Sequence, residues 1–186
     1  MKSLIKWIVM AVVLNTAVVM AQSNIKVVAD FPGKSKGSGD LSGSVDTKMG
    51  FTVGAEFMKP VHNNVAAGGG IQYQLPRGAK DANGKFNFVP IYGVATFFPE
   101  YGNGAYGKVT LGYNLHMGDS DYKGSGELSG GLCYGLGGGY ILNKKFFVEA
   151  MYSINKGGYE ISDFDLSGDV TYSRITVGVG IVLGAN

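Results

Sequence analysis

Residues 108–117 read KVTLGYNLHM, in which Val109, Leu111, Tyr113, Leu115 and Met117 alternate with Lys108, Thr110, Gly112, Asn114 and His116. A period of two sends the two sets to opposite faces of an extended strand, and no helix can separate them. The pattern recurs at 48–58, where Met49, Phe51, Val53, Ala55 and Phe57 share a face, and at 171–183, where Ile175, Val177, Val179, Ile181 and Leu183 do. Five further segments carry it: 24–36 (interrupted by Pro32), 64–75, 86–98, 128–142 and 146–155. Residues 86–98 are apolar on both parities; the expected outward set is Tyr92, Val94, Thr96 and Phe98, with Gly93 and Ala95 opposite. The eight segments are joined alternately by short connections (59–63, 99–104, 143–145) and longer polar ones (32–45, 76–86, 118–127, 156–170). That rhythm predicts an all-β chain, an eight-stranded antiparallel up-and-down transmembrane β-barrel.

Alternation alone does not say which face is inside. In a water-soluble barrel the polar face meets solvent and should be about 25–35% charged. Here the second face of 64–74 is Asn64, Ala66, Gly68, Gly70, Gln72 and Gln74, and that of 129–141 is Ser129, Gly131, Cys133, Gly135, Gly137, Gly139 and Ile141. Neither carries a charge. Glycine, 31 of 186 residues, suits the lining of a narrow barrel better than a hydrated surface. The apolar face therefore belongs outside, against lipid. Flipping the strand would send Lys108 and His116 to lipid, where a lysine near the midplane costs about 2–4 kcal/mol. Phe57, Tyr73, Phe98, Tyr106, Tyr113, Phe146 and Tyr152 lie near strand ends, where interfacial aromatic girdles are expected.

The first 21 residues differ from the rest. Lys2 and Lys6 precede an apolar core from Trp7 to Leu14, and small residues lead to Ala21. This is the layout of a secretory signal peptide, so the expected domains are a leader over 1–21 and a barrel over 22–186. Of the 16 cations and 14 anions in the whole chain, removing two lysines leaves no net charge. A neutral mature chain has no basic field to attract nucleic acid. Cys133 is the only cysteine, which excludes an internal disulfide.

On the segments GFTVGAEF (50–57), NVAAGGGIQYQL (64–75) and SRITVGVGIVL (173–183), the chain resembles the eight-stranded outer-membrane β-barrels of the OmpA-barrel, OmpX and opacity-protein type, the "porin family". The resemblance spans essentially all of 22–186. It implies residence in the outer membrane of a Gram-negative-type bacterium, contact with outer-membrane lipids and lipopolysaccharide, and insertion by the outer-membrane assembly machinery. Members commonly end in an aromatic residue, whereas this chain ends Leu183-Gly184-Ala185-Asn186.

The inward parity gathers a set of charges: Lys48, Glu56, Lys108, His116, Glu149 and Arg174. Buried charges must pair or stay hydrated. By height along their strands Glu56, Lys108 and Glu149 form one expected cluster near the periplasmic end, with Lys48, His116 and Arg174 nearer the outer half. Such a network plugs the lumen, because eight-stranded interiors are normally filled by side chains. GNGAYG (102–107) matches G-x-G-x-x-G, but a strand follows where a dinucleotide site needs a helix. His116 with Asp119, Ser120 and Asp121 has the residue types of a lipid A-modifying barrel enzyme without that family's spacing. The sequence thus implies no catalytic residues, no cofactor and no metal.

KGSGDLSG (36–43) recurs as KGSGELSG (123–130), with an echo, DLSG, at 165–168. These are read as Gly-Ser turns of duplicated hairpins. Leu41 and Leu128 fall on the apolar parity, whereas Leu166 is out of phase with Ile175, which implies a bend or bulge between them. The outer loops hold Asp119, Asp121, Glu127, Glu160, Asp163, Asp165 and Asp169 against Lys123 and Lys156. The expected function is a structural or surface-interaction role through these loops, adhesin-like or in envelope integrity. Host or other surface ligands are the implied partners. A small pore for ions or solutes is the alternative, and a lipid A-modifying enzyme a minor one.

Overall fold

A computed structural model of the chain describes residues 22–40, 42–80, 84–99, 103–123, 126–161 and 166–184. The expected leader and Leu41 lie outside them, as do Asp163 and Asp165. Nearly everything described is antiparallel β-structure. In chain order the elements are β1 (Gln22–Asp30), β2 (Lys34–Gly39), β3 (Gly43–Asp46), β4 (Gly50–His62), β5 (Val65–Gln74), β6 (Arg77–Gly78), β7 (Lys85–Phe97) and β8 (Gly104–Gly118). A single helical turn α1 (Ser120–Lys123) is followed by β9 (Glu127–Ser129), β10 (Gly131–Leu142), β11 (Phe146–Ile161) and β12 (Leu166–Leu183).

Eight of these strands close on themselves. The neighbours run β1-β4-β5-β7-β8-β10-β11-β12, and β12 returns to β1 through a register of Ser23 with Leu183 to Asp30 with Thr176. Closure leaves no free sheet edge in that wall, the condition for a sheet in hydrocarbon. Both described chain ends lie at the end of the barrel that carries the short turns. There Asn143 and Lys144 take left-handed φ values of 52° and 57° to join β10 to β11.

The other segments extend the opposite, long-loop end. β2 continues β1 beyond a break at Pro32-Gly33 and pairs with β12. A Cβ on Gly33 would lie 2.1 Å from the Ser173 carbonyl oxygen, so this close crossing needs glycine. β3 pairs with β2, and β9 pairs with β11. The result is a five-strand sheet, β3-β2-β12-β11-β9, standing above the barrel. β11 and β12 have 16 and 18 residues, against the ~9–11 needed to cross a bilayer. The three repeat segments meet in this sheet: β2 carries the first, β9 the second and β12 the third. β12 keeps one unbroken register with β11 from Leu166 to Ile181. The bend or bulge expected before Ile175 is therefore absent. Above the lipid both faces of a strand are wet, and nothing imposes the alternation that Leu166 breaks.

The facing of the strands follows the alternation, with one exception. Ile25, Val53, Ile71, Leu111, Leu136 and Val179 point outward from six different strands. β7 is reversed from expectation. Tyr92, Val94, Thr96 and Phe98 are buried in the lumen, while Ile91 and Phe97 are exposed. Interior volume decides this strand. A Cβ on Gly70 would come within 2.9 Å of the Tyr92 ring, and one on Gly112 within 2.7 Å of Tyr92 Cβ. The glycines of β5 and β8 leave a space that the Tyr92 side chain fills. Phe98 and Tyr106 likewise leave the expected girdle. They are buried with ring centroids 5.7 Å apart, part of an apolar layer with Met58, Ile141, Phe147 and Val182 that closes the short-turn end.

Candidate functional site

The lumen is the only place where this fold concentrates polar chemistry among the described residues, and it is built in layers. Above the apolar layer lies a ring of four charges. Lys26 Nζ donates to Glu56 Oε1 at 2.8 Å and to Glu149 Oε1 at 2.6 Å. Lys108 Nζ donates to Glu56 Oε2 at 2.7 Å and to Glu149 Oε2 at 2.8 Å. Each carboxylate oxygen thus receives a different lysine contact, and the charges cancel. Tyr92 donates to Glu56 Oε1 at 2.8 Å and is itself held by Gln72 Nε2 at 2.9 Å. Tyr106 reaches Glu149 Oε2 at 3.3 Å. Four strands supply the charges: β1, β4, β8 and β11. Glycines make the room. A Cβ on Gly70 would meet Glu56 Cγ at 2.8 Å, and one on Gly54 would stand 3.4 Å from Lys26 Cε.

A second cluster occupies the long-loop half. Asp30 accepts from Thr52 Oγ1 at 2.7 Å and from Arg77 Nη2, and Arg174 Nε stands 3.4 Å from its other oxygen. Arg77 Nη1 donates to the Tyr172 hydroxyl at 3.1 Å, and both guanidinium groups approach the Tyr172 ring, at 5.7 and 5.6 Å. Such cation–π contacts strengthen where water is excluded. Beside them Phe88 stacks on His116 with centroids 4.5 Å apart and lies parallel to Tyr172, while Phe86 meets Phe88, His116 and Tyr172 edge-on. Aromatic rings and paired charges therefore fill the lumen at this height. Between the two clusters remains a cavity of about 30 Å³, space for one or two waters.

Of the charges expected inside, the structure brings Glu56, Lys108 and Glu149 into contact with one another through Lys108. It places Arg174 and His116 in the second cluster. Lys48 is not in the lumen. Thr47 and Gly50 both turn inward three residues apart, so the alternation resets there and Lys48 is left exposed outside. Lys26, between the outward Ile25 and Val27, and Asp30, before the outward Phe31, follow the same alternation, which Pro32 interrupts. Arg77 had no such signal. It follows β5 in what reads as a loop, and its guanidinium folds back against Gly50, whose Cβ would fall 2.7 Å from Arg77 Cζ. His116 is buried in the aromatic stack, while Asp119 accepts the Lys85 N–H at the exposed rim.

Closed eight-strand connectivity, an apolar exterior and a polar, side-chain-filled interior define one architecture. Comparison with solved structures decides the matter. Ail, the attachment invasion locus protein of Yersinia pestis, superposes with a TM-score of 0.54 at 14% identity over 88% of this chain and 99% of Ail. Neisserial surface protein A gives 0.55 at 15% identity over 86% and 96%, and the outer membrane protein OprG of Pseudomonas aeruginosa 0.54 at 16% over 89% and 97%. The chain has the fold of an eight-stranded outer-membrane β-barrel. No protein-family model and no curated protein matches the sequence. The likeness thus rests on architecture at low identity. In barrels of this class the short-turn end is the periplasmic one and the longer loops face outward.

Proposed function

We propose that the protein is an outer-membrane surface protein whose lumen is plugged and whose outer extension makes its contacts. The observation that carries this reading is the division of the molecule. The barrel interior is closed by an apolar layer, a charge quartet and an aromatic stack in series, while β2, β3 and β9 together with the ends of β11 and β12 build a sheet beyond the membrane. A pore would need a continuous wet path, and the interior cavity of about 30 Å³ supplies none. Outer-membrane lipids and lipopolysaccharide are the partners that suit the apolar belt, and the outer-membrane assembly machinery is the route of insertion. The outer sheet displays Asp46, Glu127, Glu160 and Asp169 with Lys34, Lys36 and Lys156, a charged surface of both signs suited to polar, hydrogen-bonding surface ligands. Of the structural neighbours, Ail is an attachment invasion locus protein and Neisserial surface protein A a surface protein. An adhesin-like role here accords with those names, and envelope integrity is the other role the same surface can serve.

Three experiments test this proposal. The protein should fractionate with outer membranes and run at different gel positions before and after boiling; a chain soluble without detergent contradicts the membrane assignment. In planar bilayers it should give no discrete single-channel openings, and such openings would refute the plug. Shortening the β2–β3 hairpin tip should lower adherence of intact cells while leaving fractionation unchanged. Unchanged adherence with increased envelope permeability would instead assign the extension to envelope integrity.

A further inference from the structure

The cavity between the two luminal clusters has an asymmetry of charge. The buried charged side chains among the described residues are Lys26, Arg77, Lys108 and Arg174 against Asp30, Glu56 and Glu149, four cations to three carboxylates. The quartet is balanced within itself, and Lys26 and Lys108 occupy both oxygens of Glu149. The surplus therefore sits with Asp30, Arg77 and Arg174. Asp30 is committed to Arg77 and Thr52 by hydrogen bonds, and touches Arg174 only at Nε, 3.4 Å away and without hydrogen-bond geometry. Arg174 Nη1 is buried with no hydrogen-bond partner. So is Asn155 Nδ2. Both residues line the cavity and are almost wholly buried, at 3% and 2% exposure, and the hydroxyl-bearing Thr110 and Thr176 line it too.

Two orphaned donors, one of them cationic, on residues that line one small cavity do not make a neutral arrangement. Burying a charge without a counter-charge is costly, and so is burying an N–H without an acceptor. One acceptor carrying one negative charge removes both costs. The space of about 30 Å³, room for one or two waters, suits a single small ion better than a phosphate or an organic acid. We infer that this mid-lumen cavity binds a small monovalent anion of the halide class, held by Arg174 Nη1 and Asn155 Nδ2. The anion completes the charge balance of the plug. A water molecule would satisfy the donors without cancelling the charge, and this is the competing occupant that the test must separate.

The test is unfolding by urea in lipid vesicles, with sodium chloride compared with sodium gluconate at equal ionic strength, the gluconate ion being too large for the cavity. Wild-type protein should be stabilised by chloride, the folding equilibrium shifting about tenfold when chloride is about ten times its dissociation constant. Asn155→Asp places a carboxylate in the cavity and supplies the counter-charge internally, so the chloride response should vanish. An equal response in the wild type and N155D, or none in the wild type, overturns the inference. Crystals of the wild-type protein soaked in bromide provide a readout independent of any variant. An anomalous peak between Arg174 and Asn155 supports the site, and ordered water there without bromide refutes it.

Discussion

Replacing Lys108 by methionine should destabilise the barrel by about 3–5 kcal/mol, the usual cost of removing one partner from a buried ion pair. Methionine keeps the apolar length of the side chain and removes only the ammonium group. Glu56 Oε2 and Glu149 Oε2, now 2.7 and 2.8 Å from Lys108 Nζ, would both lose their lysine. Lys26 would then face two carboxylates alone, leaving a net negative charge in a closed space. The folded fraction in vesicles, followed by gel mobility against urea, measures the loss. Adding Glu149→Gln to K108M restores neutrality through the Lys26–Glu56 pair at 2.8 Å. The double variant should therefore lose less than the sum of the two single variants, with a coupling of about 0.5–3 kcal/mol. Additive losses would mean that the four groups do not act as one network. K108M should also remain silent in bilayers, because Phe98, Tyr106 and Phe147 still close the layer beneath.

How far the sequence reveals this molecule depends on which forces leave a periodic trace. Lipid on one side and a crowded lumen on the other impose alternation strongly, and β4, β8, β10 and β12 could be faced residue by residue from it. The signal weakens where that contrast weakens. Both parities of β7 are apolar, so hydropathy cannot face it; the fit of Tyr92 into space left by Gly70 and Gly112 does, and that fit involves residues 20 or more positions apart. At Thr47–Gly50 the chain leaves the wall and the alternation slips, which moves Lys48 outside. Arg77 comes from a short segment with no period at all. Gly131, Gly135, Gly137 and Gly139 of β10 are legible as lining, and their detailed use is not. A Cβ on Gly137 would meet Met151 Sδ at 2.6 Å, and one on Gly139 the Tyr106 hydroxyl at 2.6 Å. Sequence gives the small partner of each such pair, and only three dimensions give the large one.

The same division explains why fold and function differ in how readily they are read. The barrel wall is a repeated solution to a uniform environment, so neighbours of 14–16% identity keep it. The outer sheet has no uniform environment. Its strands are long extensions of β11 and β12 with short partners added, and its surface is set by individual residues such as Glu160 and Asp169. Two barrels can agree in every stave and share nothing at that rim.

Introducing arginine at Leu136 should cost about 2–4 kcal/mol of folding free energy in a bilayer, whereas the same change at Leu142 should cost about 0–1 kcal/mol. Leu136 points outward at 66% exposure near the centre of β10, paired across the sheet with Val109 and Tyr152. Leu142 points outward on the same strand at its short-turn end, where an arginine can reach the headgroups. The two sites share strand, residue type and facing, and differ in depth. On a water-soluble barrel both would be exposed leucines, and arginine at either would be harmless. The difference between the two variants, measured as folded fraction in vesicles against urea, therefore reports the hydrocarbon layer directly. Equal, small effects would show that the outward face meets water, and the inward assignment of Lys26, Lys108 and the glycines would lose the constraint that fixed it. A large loss at Leu136 and a small one at Leu142 would place the charge quartet within the hydrocarbon span, since Val109, the neighbour of Leu136, adjoins Lys108. At that depth no water stands outside the wall to stabilise an unpaired lysine, so the quartet must balance itself.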